Sequence, residues 1–384
     1  MVKLSDRAII RLAPFGMDLV FSIYYLAVPL LLIDLKANPV HLGLVGTITS
    51  SVHMAMANFM GPLSDRMGRR RLIVTAPVIF TGSCLTMIVA KEVNVILALS
   101  ALNGLCLSLF WPSLQAWIAD LQTGPGLAHD LGSFNMSWTA AHLVGPIFSG
   151  FLYSLYPRLP FFFAAAFAFT LFCLTQAFIQ DQKLPASEIP EMAGVERSNF
   201  RTKFLYAVWV ANFVSFFIIG NARYQFPKLA REMGIAPYVI GLLIACIGFS
   251  QFIGFFFLRG SHHWHFNRFY LLGAQLLAGT GLLLVTISSQ KTLFALALIL
   301  IGISSSVTYY SSIYYVVQLI RKKGRGAGIH ESIVGSGALL GPILGGIAAQ
   351  YVGLRTPYLL CLGVLALGVV TELNLTKRMP SLPT

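Results

Sequence analysis

Charge is scarce in this chain. Asp, Glu, Lys and Arg make up 11% of its 384 residues, against about 25% in soluble globular proteins. So little polar surface cannot cover a chain of this size in water, which excludes a soluble fold. Cysteine is scarce too. Cys84, Cys106, Cys173, Cys246 and Cys361 lie in apolar runs without paired spacing, so they read as small buried residues, not as disulfides or metal ligands. There is no Gly-rich nucleotide loop, no cluster with metal-ligand spacing and no Ser–His–Asp set in a polar segment, so an enzyme finds no support. No period-two alternation marks the apolar runs, which excludes a β-barrel. No small-residue cleavage site follows Lys3, Arg7 and Arg11, so the first apolar run is expected to stay in place and not be removed as a signal peptide.

What the chain has is long apolar runs. A helix needs about 20 apolar residues to cross the hydrocarbon core of a bilayer, and 56% of this sequence is hydrophobic. The runs predict an all-α membrane protein with twelve transmembrane helices. The first six are expected near 12–33, 41–61, 72–90, 94–118, 132–156 and 160–180, and the last six near 203–226, 238–258, 269–288, 292–317, 327–350 and 356–375. A polar stretch, 181–202, separates them. The formal net charge of +13 would point to nucleic acid in a soluble protein. Here Lys and Arg sit in connectors, where they report topology and no nucleic-acid partner. One set of connectors holds only Lys36, Lys91, Arg158, Lys228, Arg231, Lys291 and Arg355. Most others fall in the N-terminus, the alternate loops and the C-terminus, which places both termini in the cytoplasm.

The chain repeats itself. Pro29, Asp34, Pro39, Gly43 and Leu44 recur at one constant spacing as Pro227, Glu232, Pro237, Gly241 and Leu242, and Gly104 recurs as Gly302. Gly145, Pro146 and Gly150 recur as Gly341, Pro342 and Gly346 at nearly the same spacing. Two pseudo-symmetric six-helix bundles are expected, 1–180 and 203–384, joined by a cytoplasmic linker at 181–202. Transporters are commonly built this way, with the substrate held near the midplane between repeats.

Between the second and third spans the sequence reads GPLSDRMGRRR, Gly61 to Arg71. Gly61, Asp65, Arg66, Gly68, Arg69 and Arg70 match Gly-x-x-x-Asp-Arg/Lys-x-Gly-Arg-Arg/Lys without a gap. With twelve spans in two halves, the chain resembles the major facilitator superfamily over essentially its whole length. The resemblance implies that Gly61, Asp65 and Arg69 form a cytoplasmic latch, with Asp120 a second partner for Arg69 and Glu331 in the same region. The competing reading is that the arginines only fix topology, and it is preferred for Arg66, Arg70 and Arg71. The second half replaces the loop with Arg259-Gly-Ser-His-His-Trp-His-Phe-Asn-Arg268, read as a degenerate copy and not as a metal site.

Ala141-x-x-x-Gly145-Pro146-x-x-x-Gly150 resembles the Gly-x-x-x-Gly-Pro motif of the family's proton-exchanging exporters, with Ala for the first Gly. Gly337, Gly341, Pro342 and Gly346 repeat it. Close packing of helices is the plainer account of the same residues. Proton-coupled relatives often carry an arginine four residues before the position of Gly104; this chain has Ser100.

A charge at the bilayer centre costs roughly 2.5–3.5 kcal/mol on insertion scales and usually marks function. Asp18 is the candidate for carrying a proton, against a cap or a pairing near the cytoplasmic surface. Arg223, a second coupling candidate, suggests an anionic or carbonyl-bearing substrate or a carboxylate partner, against snorkelling to the outer interface. His53, His142 and His330 read as packing residues. Tyr24, Tyr25, Trp111, Tyr224, Tyr309 and Tyr310, with Arg223, are the substrate-cavity candidates, against an interfacial aromatic belt. The resemblance favours a monomeric secondary transporter, without a cofactor beyond the proton, in the inner membrane of a bacterium or archaeon. It would export a small organic or amphipathic solute. Uptake or facilitated diffusion of a sugar or organic anion, or a non-transporting receptor or assembly factor built on a transporter fold, are the alternatives.

Overall fold

The computed structural model describes residues 3–121, 127–179, 199–261, 263–320 and 323–377. Thirteen helices account for nearly all of them. The first half contains α1 (Lys3–Asp34), α2 (Pro39–Met67), α3 (Arg69–Val89), α4 (Val93–Leu121), α5 (Leu127–Leu155) and α6 (Leu159–Phe178). The second contains α7 (Asn199–Tyr224), α8 (Phe226–Glu232), α9 (Pro237–Leu258), α10 (Arg268–Ile287), α11 (Lys291–Leu319), α12 (Lys323–Tyr351) and α13 (Thr356–Thr376). The expected linker at 181–202 lies mostly outside the described residues.

Eleven apolar stretches among the described residues have the length and hydropathy of a membrane span, with α7 and α8 running together as one. The long helix left out is α5. It has 29 residues, but Asn135, Ser137, Thr139 and His142 crowd its first half. The break between α7 and α8 at Gln225 is a feature that the apolar pattern does not announce.

The same end-of-helix geometry closes α1 and α8. After α1, Ala37 N–H bonds the Leu32 carbonyl at 2.9 Å; after α8, Ile235 N–H bonds the Ala230 carbonyl at 3.0 Å. Both turns need a left-handed residue, the usual way a helix spends its last carbonyls. The second half supplies Gly234 (φ 73), and the first half forces Lys36 into the same region (φ 59). A proline then opens the next helix in each half, Pro39 and Pro237, with the Asn38 side chain capping the first.

The two halves pack alike. In the first, α1 lies on α5 and α6, α2 on α4, and α3 on α4 and α6. In the second, α7 lies on α12 and α13, α9 on α11, and α10 on α11 and α13. The halves meet along two seams, α2 against α12 and α5 against α9. Small residues make both seams possible, because lipid tails leave no hydrophobic drive between helices and close packing must supply the attraction. A Cβ at Gly43 would overlap the Pro342 carbonyl, and one at Gly241 the Pro146 carbonyl.

At one end of the molecule, that of Asp34, Pro39 and Pro237, hydrogen bonds cross both seams. Thr47 Oγ1 donates to the Leu339 carbonyl at 2.7 Å, and Gln225 Nε2 to the Pro39 carbonyl at 3.2 Å. The Tyr238 N–H donates to Ser154 Oγ at 3.0 Å. Asp34 accepts from Tyr153 at 2.7 Å and pairs with Arg231 of the other half at 3.4 Å.

At the other end, α2 turns into α3 through Gly68, whose φ of 90 disfavours any side chain. Arg70 donates to the Gln176 carbonyl at 2.8 Å and so ties α3 to α6; it is more than a topology charge. The corresponding turn of the second half is an aromatic plug. Trp264 is buried, bonds the Leu258 carbonyl at 3.0 Å, and packs on Tyr310, Tyr314 and Tyr315. Of the cysteines, all unpaired, Cys173 is exposed on α6 and Cys246 is half-buried; the expectation that all five are buried fails for these two, because lipid-facing positions are apolar as well.

Candidate functional site

The centre of the site is a cation shared between the halves. Arg223 stands at the end of α7. Its Nη2 lies 3.0 Å from Nε2 of His142 on α5, and its guanidinium carbon lies 5.2 Å from the ring centroid of Tyr25 on α1. Arginine has no acceptor, so it donates and His142 Nε2 accepts. The imidazole is therefore neutral, with its hydrogen on Nδ1, and that buried nitrogen has no hydrogen-bond partner. Tyr25 also meets Tyr224 edge-on at 6.3 Å. Arg223 thus faces inward, and snorkelling to the outer interface does not describe it.

Two cavities share the Tyr25–Arg223 wall. The larger, about 130 Å³, is lined by α1, α2, α4, α7 and α12, including Thr49, His53, Phe216, Tyr224 and Glu331. The smaller, about 20 Å³, is lined by α1, α5, α7 and α9, including Ser22, His142, Pro146 and Gln251. Sites for drug-sized ligands measure about 300–1,000 Å³, so each cavity is smaller than such a site.

Helix geometry decides which candidates reach it. Asp18, Ser22 and Tyr25 recur at i, i+4 and i+7 and therefore share one face of α1. Asp18 is 7% exposed, two turns or about 10 Å from Tyr25 along the axis, and Arg223 acts on it electrostatically. It is not a cap at the helix start. Tyr24 points about 100° away and packs on Phe80 and Phe161 at 5.5 and 6.1 Å, inside the first half and off the cavity. Adjacent helical residues cannot share a face, so Tyr24 and Tyr25 could not both line the site.

The other aromatics divide similarly. Tyr224 lines the larger cavity. Tyr309 lies behind Phe216 (5.9 Å), among Trp138, Phe255 and His330. Trp111 packs on Phe110 and Phe134, and Tyr310 on Phe255 and Trp264; neither lines a cavity described above. Glu331, expected in the latch, stands instead in the wall of the larger cavity and takes a hydrogen bond from Gln115. The side chains at Gly61, Asp65 and Asp120 lie outside the described residues, so the latch they would form with the half-buried Arg69 is not placed.

The repeated glycine–proline motif positions the site from both sides. Gly145 lets α5 close on Ser22 of α1, and Gly341 lets α12 close on Phe217 of α7. Pro146 then lines the smaller cavity, while the Pro342 ring fills the space at Gly46 and Gly220. Ser100, where relatives carry arginine, is fully buried; its hydroxyl bonds the Ile96 carbonyl at 2.8 Å and its carbonyl accepts from Thr49 at 3.1 Å. It fastens α4 to α2. Sequence reasoning missed His142, His53 and Gln251. The signal for His142 was its place one turn before Pro146, on the same face.

Residues 12–209 and 208–383 match the family model described as Major Facilitator Superfamily. The chain belongs to the major facilitator superfamily. As a member it is a multi-pass membrane transporter of small molecules and not an enzyme. The chain is 23% identical over 364 residues to "Multidrug resistance protein 1" of Bacillus subtilis (strain 168), covering 89% of this chain and 88% of that protein. It is 22% identical over 376 residues to "Quinolone resistance protein NorA" of Staphylococcus aureus (strain Mu50 / ATCC 700699), covering 94% of each. Among solved structures, this superfamily member resembles a bacterial homolog of the human lysosomal transporter Spinster in an inward-facing, occupied conformation (TM-score 0.76, 15% identity, 98% of each chain). It also resembles the nucleoside transporter NupG (TM-score 0.69, 11% identity, 97% of this chain and 99% of that one).

Proposed function

We propose that this transporter exports small amphipathic organic solutes in exchange for protons, rocking its halves about the Tyr25–Arg223 wall. The observation that carries the reading is a cavity lined by both halves beside seams that close at the Asp34 end. Relatives named for multidrug and quinolone resistance support export, as does the paired glycine–proline motif. Asp18 carries the proton in this reading, on the face of α1 that bears Tyr25. Tyr25, Tyr224 and Arg223 contact the solute, and Glu331 faces it from α12. When the opposite end closes, Asp65 and Arg69 latch it, with Asp120 as a further partner. The bundles span 1–180 and 203–384, the linker is 181–202, and the chain works as a monomer. It lies in a bacterial or archaeal inner membrane with both termini cytoplasmic.

Purified protein in liposomes with an imposed pH gradient tests this, with a quinolone and an anionic amphipathic dye as solutes. The expected result is accumulation against the solute gradient that collapses with a protonophore. Flux indifferent to the pH gradient would replace export by facilitated diffusion, and no flux of either solute would end the exporter reading.

A further inference from the structure

We infer that the solute bears an anionic group, a carboxylate or an equivalent oxyanion, and that Arg223 is its receptor, aimed by His142 and Tyr25. The inference rests on the proposed transport role and narrows its cargo.

A guanidinium carries five N–H donors in a planar fork that matches a carboxylate. At Arg223 one donor meets the neutral His142 ring at 3.0 Å and the cation lies near a tyrosine face. Neither contact supplies negative charge, and a charge held out of water without its opposite is costly. No acid among the described residues pairs with it directly. No carboxylate oxygen among the described residues comes within 4.0 Å of Arg223. Asp18 acts on Arg223 only through space, and Glu331 is hydrogen-bonded by Gln115. The cation is thus left for a ligand.

Its place makes it reachable, because Arg223 lines both cavities. Its supports come from the opposite half: His142 on α5 and Tyr25 on α1. They turn the guanidinium toward the cavity, which makes His142 a positioning residue. The rest of the larger cavity offers Tyr25, Phe216, Ile219 and Tyr224, a surface for an aromatic or apolar body. An aromatic acid fits both features.

The test is binding of 2-naphthoate and its methyl ester to the full chain in nanodiscs, read by tryptophan fluorescence. The acid is expected to bind about tenfold or more tighter than the ester, as a charge-assisted bidentate contact allows. R223Q should bring the acid down to the ester's level; R223K should keep part of the preference. H142A should weaken the acid several-fold, and H142Q, which restores an acceptor, should recover part of it. Equal binding of acid and ester by the wild type, failure of the acid to bind, or an unchanged acid-to-ester ratio in R223Q overturns the inference. The wild-type ratio decides even if R223Q does not fold. Gradient-driven flux without charge preference would remove this inference and leave the exporter reading standing. Acid-selective binding without flux would do the reverse.

Discussion

Among the hydrogen bonds that cross between the halves at the Asp34 end, those of the Thr47 and Gln225 side chains join α2 to the second half, and removing both should loosen that end without emptying the seam. Thr47→Val keeps the shape of the side chain and deletes its 2.7 Å bond to the Leu339 carbonyl. Gln225→Met keeps the length and deletes the 3.2 Å bond to the Pro39 carbonyl, along with a 3.3 Å bond to Pro342 inside its own half. Hydrogen bonds between membrane helices average about 0.6 kcal/mol and reach roughly 1.7. Two of them bias the closed end by about 1–2 kcal/mol, a factor of roughly 5–30 in population. The surface pair Asp34–Arg231, each partner about a third exposed, adds about 0–1 kcal/mol, so Asp34→Asn alone should change little. The assay is thiol labelling from the Asp34 side at Leu26→Cys, in the wall of the smaller cavity, after the five native cysteines are replaced. The double variant should label roughly 5–30 times faster than its parent, and each single variant less. Labelling within twofold of the parent would refute the claim that these bonds hold the end shut.

Asp18→Asn should abolish accumulation driven by a pH gradient while solute exchange continues, measured in the same liposomes; undiminished pumping would remove Asp18 from coupling. Gly241→Val would drive a side chain into the Pro146 carbonyl and Gly150. Transport should fall more than about tenfold while the protein still inserts, since a packed seam does not absorb extra atoms; normal flux would show that the seam is looser than described. Lys36→Gly relieves a left-handed residue (φ 59) and should stabilise the protein by about 1 kcal/mol, seen as a higher unfolding midpoint; a lower midpoint would contradict the turn.

The helices, the repeat and the small-residue seams were legible in the sequence, because glycine, proline and charge are rare marks on an apolar background. Arg223 stood out for the same reason. The facing of each helix was not legible. A lipid-exposed side chain such as Leu276 (72% exposed) or Leu367 (71%) is as apolar as the fully buried Phe80 or Phe294, so the usual contrast between faces vanishes in a membrane. That is why Tyr24 was grouped with Tyr25 and why Trp111 and Tyr310 were placed in the cavity. Glu331 was assigned to the latch from its place at a span start, whereas α12 extends beyond the apolar run and carries it deeper. His142 reads as a packing residue in the sequence, and Gln251 does not stand out there, because a single polar group in a span has no partner until the other half is folded against it.

The rocking of the halves can be measured at both ends at once. Spin labels at positions 36 and 238 report the Asp34 end, and labels at 67 and 259 the opposite end, all four on exposed side chains. Distances would be recorded in nanodiscs with and without solute, at two pH values. The account predicts reciprocal change, with one pair lengthening as the other shortens around a fixed Tyr25–Arg223 wall. Distances that stay constant in both pairs, or that lengthen together, would contradict alternating access in this chain.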